Sequence, residues 1–472
     1  MSDGRPPPTP QSSGPRGVRL HRALSLKDLI LYGIIVTSPV APMSVYGIVS
    51  DRAHGHVSLI ILLAMFAMLL TAVSYGRMAR AYPSAGSAFS YVGQEISPAL
   101  GYVVGWSLVM DYMLNPLICV IWCSQQAHVF LPNIPYSAWA VLFAVLFTFL
   151  NVQGIKTSAR VNLLLAAGIG VVALIFVAAA TLYVLRHPHS GPDFFIRPFY
   201  DPIHWQGDAV LAGTSVAVLT YMGFDAVSTL AEEAKRPHQI LPATVLTCLI
   251  IGAISLVEVY AAQLIWPVRD AFPNVDTAFP FVAGRAWPPL FVLMGMTLIV
   301  AQMGSGIAAQ LGAARVLYGM GRSNALPSSF FGAVEPRRRI PRNNVVFVGS
   351  LVLLLAVILP VATKNGTAYE LAVSLVNFGA MIAFMGVNAA CFTRYFLRAD
   401  KRRPFNLLMP LAGFLVCLLL WSHLSAASRI VGSIWMILGI AYGAWKTHGF
   451  RAALVNFELP PDTPADSPVV RA

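Results

Sequence analysis

Twelve apolar runs, each long enough to cross a bilayer as helix, divide this chain: 28–50, 57–80, 98–124, 135–153, 160–185, 209–231, 241–266, 288–320, 344–362, 369–395, 406–423 and 427–446. About 20 apolar residues span the hydrocarbon core. Backbone in lipid must satisfy its own hydrogen bonds, so each run has to be helical. Only 11% of the 472 residues are charged, against about 25% in soluble domains. The fold class is therefore all-α, a membrane protein of 12 transmembrane helices. The run at 288–320 exceeds what a bilayer needs and is expected to tilt or protrude.

The net charge is +12, but it is spread by topology. Of the 32 Lys and Arg, 25 fall on the side that holds both termini and 7 on the other. This asymmetry places both termini in the cytoplasm. It also removes a nucleic-acid partner, which would need one basic patch. The first apolar run starts at Leu29 and is long enough to be retained, so no cleaved signal peptide is read. Residues 1–23 and 448–472, rich in Pro and polar residues, are expected to be disordered cytoplasmic tails. Arg- and Ala-rich usage points to a bacterial inner membrane, with lipid as the surrounding partner. The sequence sets no oligomeric state.

Cys119, Cys123, Cys248, Cys391 and Cys417 lie in apolar runs without ligand spacing and read as small core residues. The 10 His show no zinc pattern, and no Gly-rich phosphate loop is present. No cofactor, metal or catalytic residue is expected, which leaves a proton, or sodium as the alternative, as coupling ion. A membrane-embedded enzyme would need a convergent nucleophile–base or metal set that the spans lack.

Two runs are interrupted. The first carries Thr37-Ser38-Pro39-Val40-Ala41-Pro42, and the sixth carries Tyr221-Met222-Gly223-Phe224-Asp225. Each Pro removes an N–H and restricts the residue before it. Gly loosens the helix, and an Asp near the bilayer centre costs roughly 2.5–3.5 kcal/mol on insertion scales. Such breaks persist only where they face protein or a wet cavity, and paired broken helices mark transport sites. Residues 24–200 and 201–398 then form two sets of five helices in opposite orientation, each opening on a broken helix. Residues 399–447 add the last two. Residues 81–97 are expected to hold a short helix under the bundle, and 270–286 an outer lid.

A solute leaving water at the midplane needs fixed partners: peptide N–H groups for a carboxylate, peptide C=O groups for an ammonium. The substrate-binding candidates are Val36, Thr37, Ser38, Pro39, Val40 and Ala41 in the first break and Tyr221, Gly223 and Phe224 in the second. Tyr112 and Asn115 of the third run join them. Asp111, Asp225 and Glu258 are the intramembrane acids that can hold an amine or take a proton. Glu232, Glu233, Lys235 and Arg236 are candidates for inner-gate ion pairs. Trp106 is a weaker gate candidate, and Ser305 and Gln310 could complete a cation site.

The strings YPSAGSAFSYV, GYVVGWSLVMDYMLNP, YMGFDAVSTLAEEAKRP, ARVLYGMGRSNALP and LVNFGAMIAF resemble the amino acid–polyamine–organocation permease superfamily, nearest to its bacterial putrescine importers. The resemblance runs from about Leu24 to Lys446. It implies a five-plus-five inverted-repeat fold with broken first and sixth helices and two further helices. It also implies transport of amino acids or amines by alternating access. The chain departs from the pattern at Ser44, where putrescine importers carry an acid, and at Leu219, where they carry an aromatic. It also lacks, near Ile169, the Lys that stands in for sodium in many relatives. Together these features imply a secondary permease importing a small amine-bearing solute with proton coupling. An amino acid comes first and a polyamine second; behind them stand an exchanger and a non-transporting sensor.

Overall fold

The computed structural model describes residues 24–82, 87–154, 159–187, 191, 193–231, 233–266, 271–322, 326–335, 340–363, 367–399 and 403–450. The helices in chain order begin with α1 (Leu26–Thr37), α2 (Ala41–Arg52), α3 (Val57–Ala81), α4 (Ser87–Glu95), α5 (Pro98–Phe130) and α6 (Tyr136–Gln153). Next come α7 (Ala159–Arg186), α8 (Gly207–Ala217), α9 (Ala226–Thr229), α10 (Ile240–Ile265), α11 (Ala278–Ala286) and α12 (Pro289–Arg322). The last are α13 (Ser328–Phe331), α14 (Arg342–Ala362), α15 (Ala368–Phe392), α16 (Pro404–Ser422) and α17 (Ala426–Lys446). Eleven spans are long and apolar enough to cross a membrane, and twelve when α1 and α2 count as one span bent by 47°. The chain is a multi-span membrane protein.

Local chemistry sets the ends. Ser25 and Asp28 form a capping box at the start of α1, with the Ser25 N–H donating to Asp28 Oδ2 at 2.8 Å. Ser97 caps α5 ahead of Pro98, and Gly154 ends α6 in the left-handed conformation. α12 has 34 residues, about 51 Å of helix, so the over-long eighth run is one continuous rod. α4 is the short helix expected within 81–97. All five cysteines are buried and unpaired.

Helix pairs meet in a symmetric pattern: α3 with α10, α5 with α12, and α2 with α8. A two-fold axis relating helices one to five with six to ten brings together those same pairs. Small residues allow the close approach. α3 and α10 run antiparallel, with Gly76 against Leu241, the Thr244 hydroxyl donating to the Ala72 carbonyl at 3.3 Å, and Gly252 against Met65. Elsewhere Gln310 spans three helices, donating to Thr148 Oγ1 at 2.9 Å and to the Val345 carbonyl at 3.2 Å, and accepting from Asn151 at 3.0 Å. This network accounts for Gln310 as a helix tie and not as a cation ligand.

The two ends of the bundle differ. In α2 every residue from Pro42 to Ser50 is buried, whereas α1 buries only Leu29, Gly33 and Thr37. Over α2 lies a lid made of residues 271–277 and α11. The Tyr46 ring packs edge-on to Phe272 and Phe279, with centroids 6.0 and 5.5 Å apart. Gly47 lets the Val275 carbonyl descend onto the α2 backbone. The face opposite the amino terminus is therefore sealed, and the amino-terminal face is the looser one.

Candidate functional site

The first break falls at Ser38-Pro39-Val40. Ser38 has φ 63°, unusual for a residue with a side chain, and its N–H donates to the Ile34 carbonyl at 3.1 Å. Pro39 cannot donate to the Ile35 carbonyl, so the helical ladder stops there. The last carbonyls of α1 thereby lose their helical donors. The second break is wider than its Gly alone requires. α8 tightens into a 3₁₀ turn at Val218–Tyr221, the chain turns through 222–225, and only Ala226–Thr229 resumes as α-helix. The run at 209–231 is thus helix interrupted by turn backbone at 222–225.

The breaks touch. Gly223 has φ 113°, and a Cβ placed on it would lie 3.1 Å from both the N and Cα of Thr37. Only glycine gives this conformation and this proximity together. Asp225 folds back over its own break. Its carboxylate accepts from the Gly223 N–H at 3.3 Å, and the amides of Asp225 and Ala226 point to it as well. The N–H groups that a substrate carboxylate would use are thus already held by a side chain of the protein.

An interior chamber adjoins the breaks. Tyr112 sits at mid-length of α5 yet leaves 40% of its surface open. Its ring lies about 3.6 Å from the open edge of Gly312 on α12. Asp111 and Asp225 act on one another electrostatically, and both act on Tyr112, which also feels Tyr32. Surface left open at the centre of four converging elements belongs to a cavity, not to lipid. Val36 and Tyr32 of α1 are exposed, and Asp111, Asn115, Ser38, Pro39 and Ala41 are half-buried. No Lys or Arg among the described residues acts on Asp111 or Asp225. Two acids without a basic partner make a chamber suited to cations.

Other candidates lie elsewhere. Tyr221 is buried, its hydroxyl donating to the Ile61 carbonyl at 2.8 Å, so it wedges α8 against α3. Phe224 is buried against Tyr75 and Phe384, with centroids 5.6 and 5.5 Å away. Thr37 is buried at the contact between the breaks, and Val40 is buried as well. Trp106 stacks on Trp435 at 4.9 Å and donates to its carbonyl, so it packs α17 and lies off the chamber. Glu258 is 2% exposed, and neither carboxyl oxygen has a hydrogen-bond partner among the described residues. By the α3–α10 register it lies level with Ser58 and Leu59, towards the sealed face and apart from the chamber.

Of the inner-gate candidates, Glu232 lies outside the described residues. Glu233 and Lys235 act through backbone: the Leu24 N–H donates to the Glu233 carbonyl at 3.1 Å and the Lys235 N–H to the Leu24 carbonyl at 2.9 Å. Lys235 and Arg236 are exposed. Among the described residues, ion pairs at this end are made by Glu95, which is buried and bonds Arg394 at 2.6 Å, Arg398 at 3.1 Å and the Tyr82 hydroxyl at 2.6 Å. Glu95 and Arg394 are 299 residues apart, and no local signal joins them. Tyr32, Tyr75 and Phe384 were also invisible in sequence, because an aromatic in an apolar run reads as packing.

Two helix breaks in contact, a chamber with unpaired acids and a bundle sealed at one face define a secondary transporter. The amino acid permease family matches residues 36–456, and the chain belongs to that family. It is similar to the low-affinity putrescine importer PlaP of Escherichia coli, 32% identical over 456 residues, with 93% of this chain and 97% of that protein covered. It is also similar to the branched-chain amino acid permease BcaP of Bacillus subtilis, 27% identical, covering 89% and 92% of the two chains. A vacuolar cationic amino acid transporter of Arabidopsis thaliana is 26% identical over 81% of this chain and 64% of its own. Transport of an amino acid or a polyamine follows from this kinship.

Proposed function

We propose that the protein imports a small amine-bearing solute by alternating access, and that a diamine fits its chamber better than a zwitterion. The observation that carries this is the pairing of Asp111 and Asp225 on one open chamber while Asp225 occupies the amides of the broken helix. A dication meets two carboxylates there and free carbonyls beside them. A neutral amino acid is the second reading, favoured by the neutral Ser44, whose hydroxyl turns back to the Ala41 carbonyl at 2.8 Å.

The charge split of 25 to 7 sets the amino-terminal face in the cytoplasm, so the described state opens inward. We take 24–200 and 201–398 as the two repeats, with 399–447 outside them, in a bacterial inner membrane. Protons are our coupling ion, carried by Asp111, Asp225 or Glu258. The reading is a transporter, as the family and the relatives it matches are transporters.

Uptake of labelled putrescine, arginine and leucine into proteoliposomes tests it. Putrescine should be carried best, and Asp111→Asn should cut its uptake more than ten-fold. Leucine carried in preference to putrescine would reverse the order of the two substrates. Asp225→Asn should abolish the dependence of uptake on an imposed pH gradient while leaving binding measurable. A mutant with unchanged pH dependence would release Asp225 from coupling.

A further inference from the structure

A second group of charges lies on the sealed face, at the opposite end of the bundle from the looser face. Arg52 ends α2, Glu370 opens α15, and Asp276 sits in the lid just before α11. The Arg52 guanidinium meets Glu370 at 2.5 Å. Asp276 is only 6% exposed, lies within electrostatic reach of Glu370, and makes no hydrogen bond or ion pair among the described residues. Beside it the Thr277 hydroxyl is buried without a partner, as is the Tyr46 hydroxyl beneath the lid.

A buried polar group without a partner costs about 1–3 kcal/mol, and a carboxylate costs more. A lid meant only to close would be apolar here, as it is at Phe272 and Phe279. Lifting the lid would open these groups to water or to a ligand. Two carboxylates here share one cation, whose place a substrate ammonium can take. In the described state Arg52 is the cation, and it is tethered to α2, the half-helix that the lid covers.

We propose that Asp276 and Glu370 form an outer receiving site for the ammonium group of the substrate, which competes there with the Arg52 guanidinium for Glu370. The ligand class is a primary amine, bound before it reaches the chamber between the breaks. The proposal rests on the transport of an amine. It adds that the ion pair between α2 and α15 and the first binding site share the Glu370 carboxylate.

The two partners of one ion pair should then shift affinity in opposite directions. Putrescine, arginine and leucine all carry an ammonium group, and whichever the wild type carries best serves as probe. KM is measured with the intact protein in proteoliposomes at low ionic strength. Arg52→Gln vacates the site and should lower KM three-fold or more. Glu370→Gln and Asp276→Asn each remove an acid and should raise KM about ten-fold, with Glu370→Asp restoring part of the loss. A plain structural clasp predicts that Arg52→Gln and Glu370→Gln move KM the same way. That result, or no change in Asp276→Asn, overturns the site while leaving transport standing. A wild-type chain that carries none of the three solutes overturns both.

Discussion

At the scale of single residues, Gly223 bears the strongest constraint. Its φ of 113° is one that residues with side chains rarely adopt, and its missing Cβ is what lets Thr37 approach. Gly223→Ala would add strain of order 1–3 kcal/mol and separate the two breaks. Transport should fall at least ten-fold while the protein still inserts. Gly168, which has nothing within 4 Å of a built Cβ, is the control: Gly168→Ala should keep full uptake. Equal uptake by both variants, normalised to protein in the membrane, would remove the contact between the breaks from the mechanism. Gly223, Pro39 and Asp225 were legible in sequence because each disturbs a helix by its own covalent structure. Tyr32 and Tyr112 differ in this respect. Their role comes from an open surface that only the packed bundle defines, although Tyr112 was found through its neighbour Asp111. Gln310 is consumed by Asn151 and Thr148, so a polar residue in a span is not by itself a ligand.

At the scale of elements, the halves of the first span behave differently. α1 is held at its start by the capping box and by the backbone bridge from Leu24 to Ala234. α2 is held along its length by the lid. Gly47 is the seat of that lid: a methyl group there would overlap the Val275 carbonyl and sit 2.6 Å from the Ala278 Cβ. Gly47→Ala should hold the lid off α2. Uptake should drop at least ten-fold, and amide exchange in 271–286 should speed up. Normal uptake with an unchanged exchange rate would show that the lid can seat without that glycine. The spanning helices were readable from length and hydropathy, including the long α12, and α4 from its run of small residues. Their fastenings were not. Glu95 joins α4 to the end of α15 through Arg394 and Arg398, and Arg52 joins α2 to α15 through Glu370, both across some 300 residues (299 and 303 for the pairs of Glu95). Hydropathy registers each of these charges as loop punctuation, because their partners are set by tertiary contact alone.

At the scale of the whole molecule, the sealed and loose faces are two ends of one equilibrium, and a ligand or proton that prefers one end shifts it. The topology signal in Lys and Arg was legible in sequence; the state of the bundle was not, since one sequence serves both ends. Asp276 gives the equilibrium a pH dependence. Under the lid its carboxyl is pushed up to about 7, first by burial and then by the neighbouring Glu370. Once the lid lifts and water reaches it, an ordinary value of about 4 returns. The sealed state therefore holds a proton that the open state has lost between those two values. Lowering the pH from about 8 towards about 5 favours the sealed lid, and below about 4 both states are protonated and the effect saturates. The groups that act on Asp276 are Glu370 with its partner Arg52, and the phenols of Tyr136 and Tyr369, which stay neutral through this range. Amide exchange of peptides from 271–286, corrected for the intrinsic effect of pH on exchange, should show more protection at pH 5 than at pH 8. Asp276→Asn, neutral at every pH, should keep the pH 5 level of protection at pH 8. A wild-type lid whose corrected exchange is flat across this range would mean that Asp276 keeps one protonation state in both conformations, and the lid would then respond to the substrate cation alone.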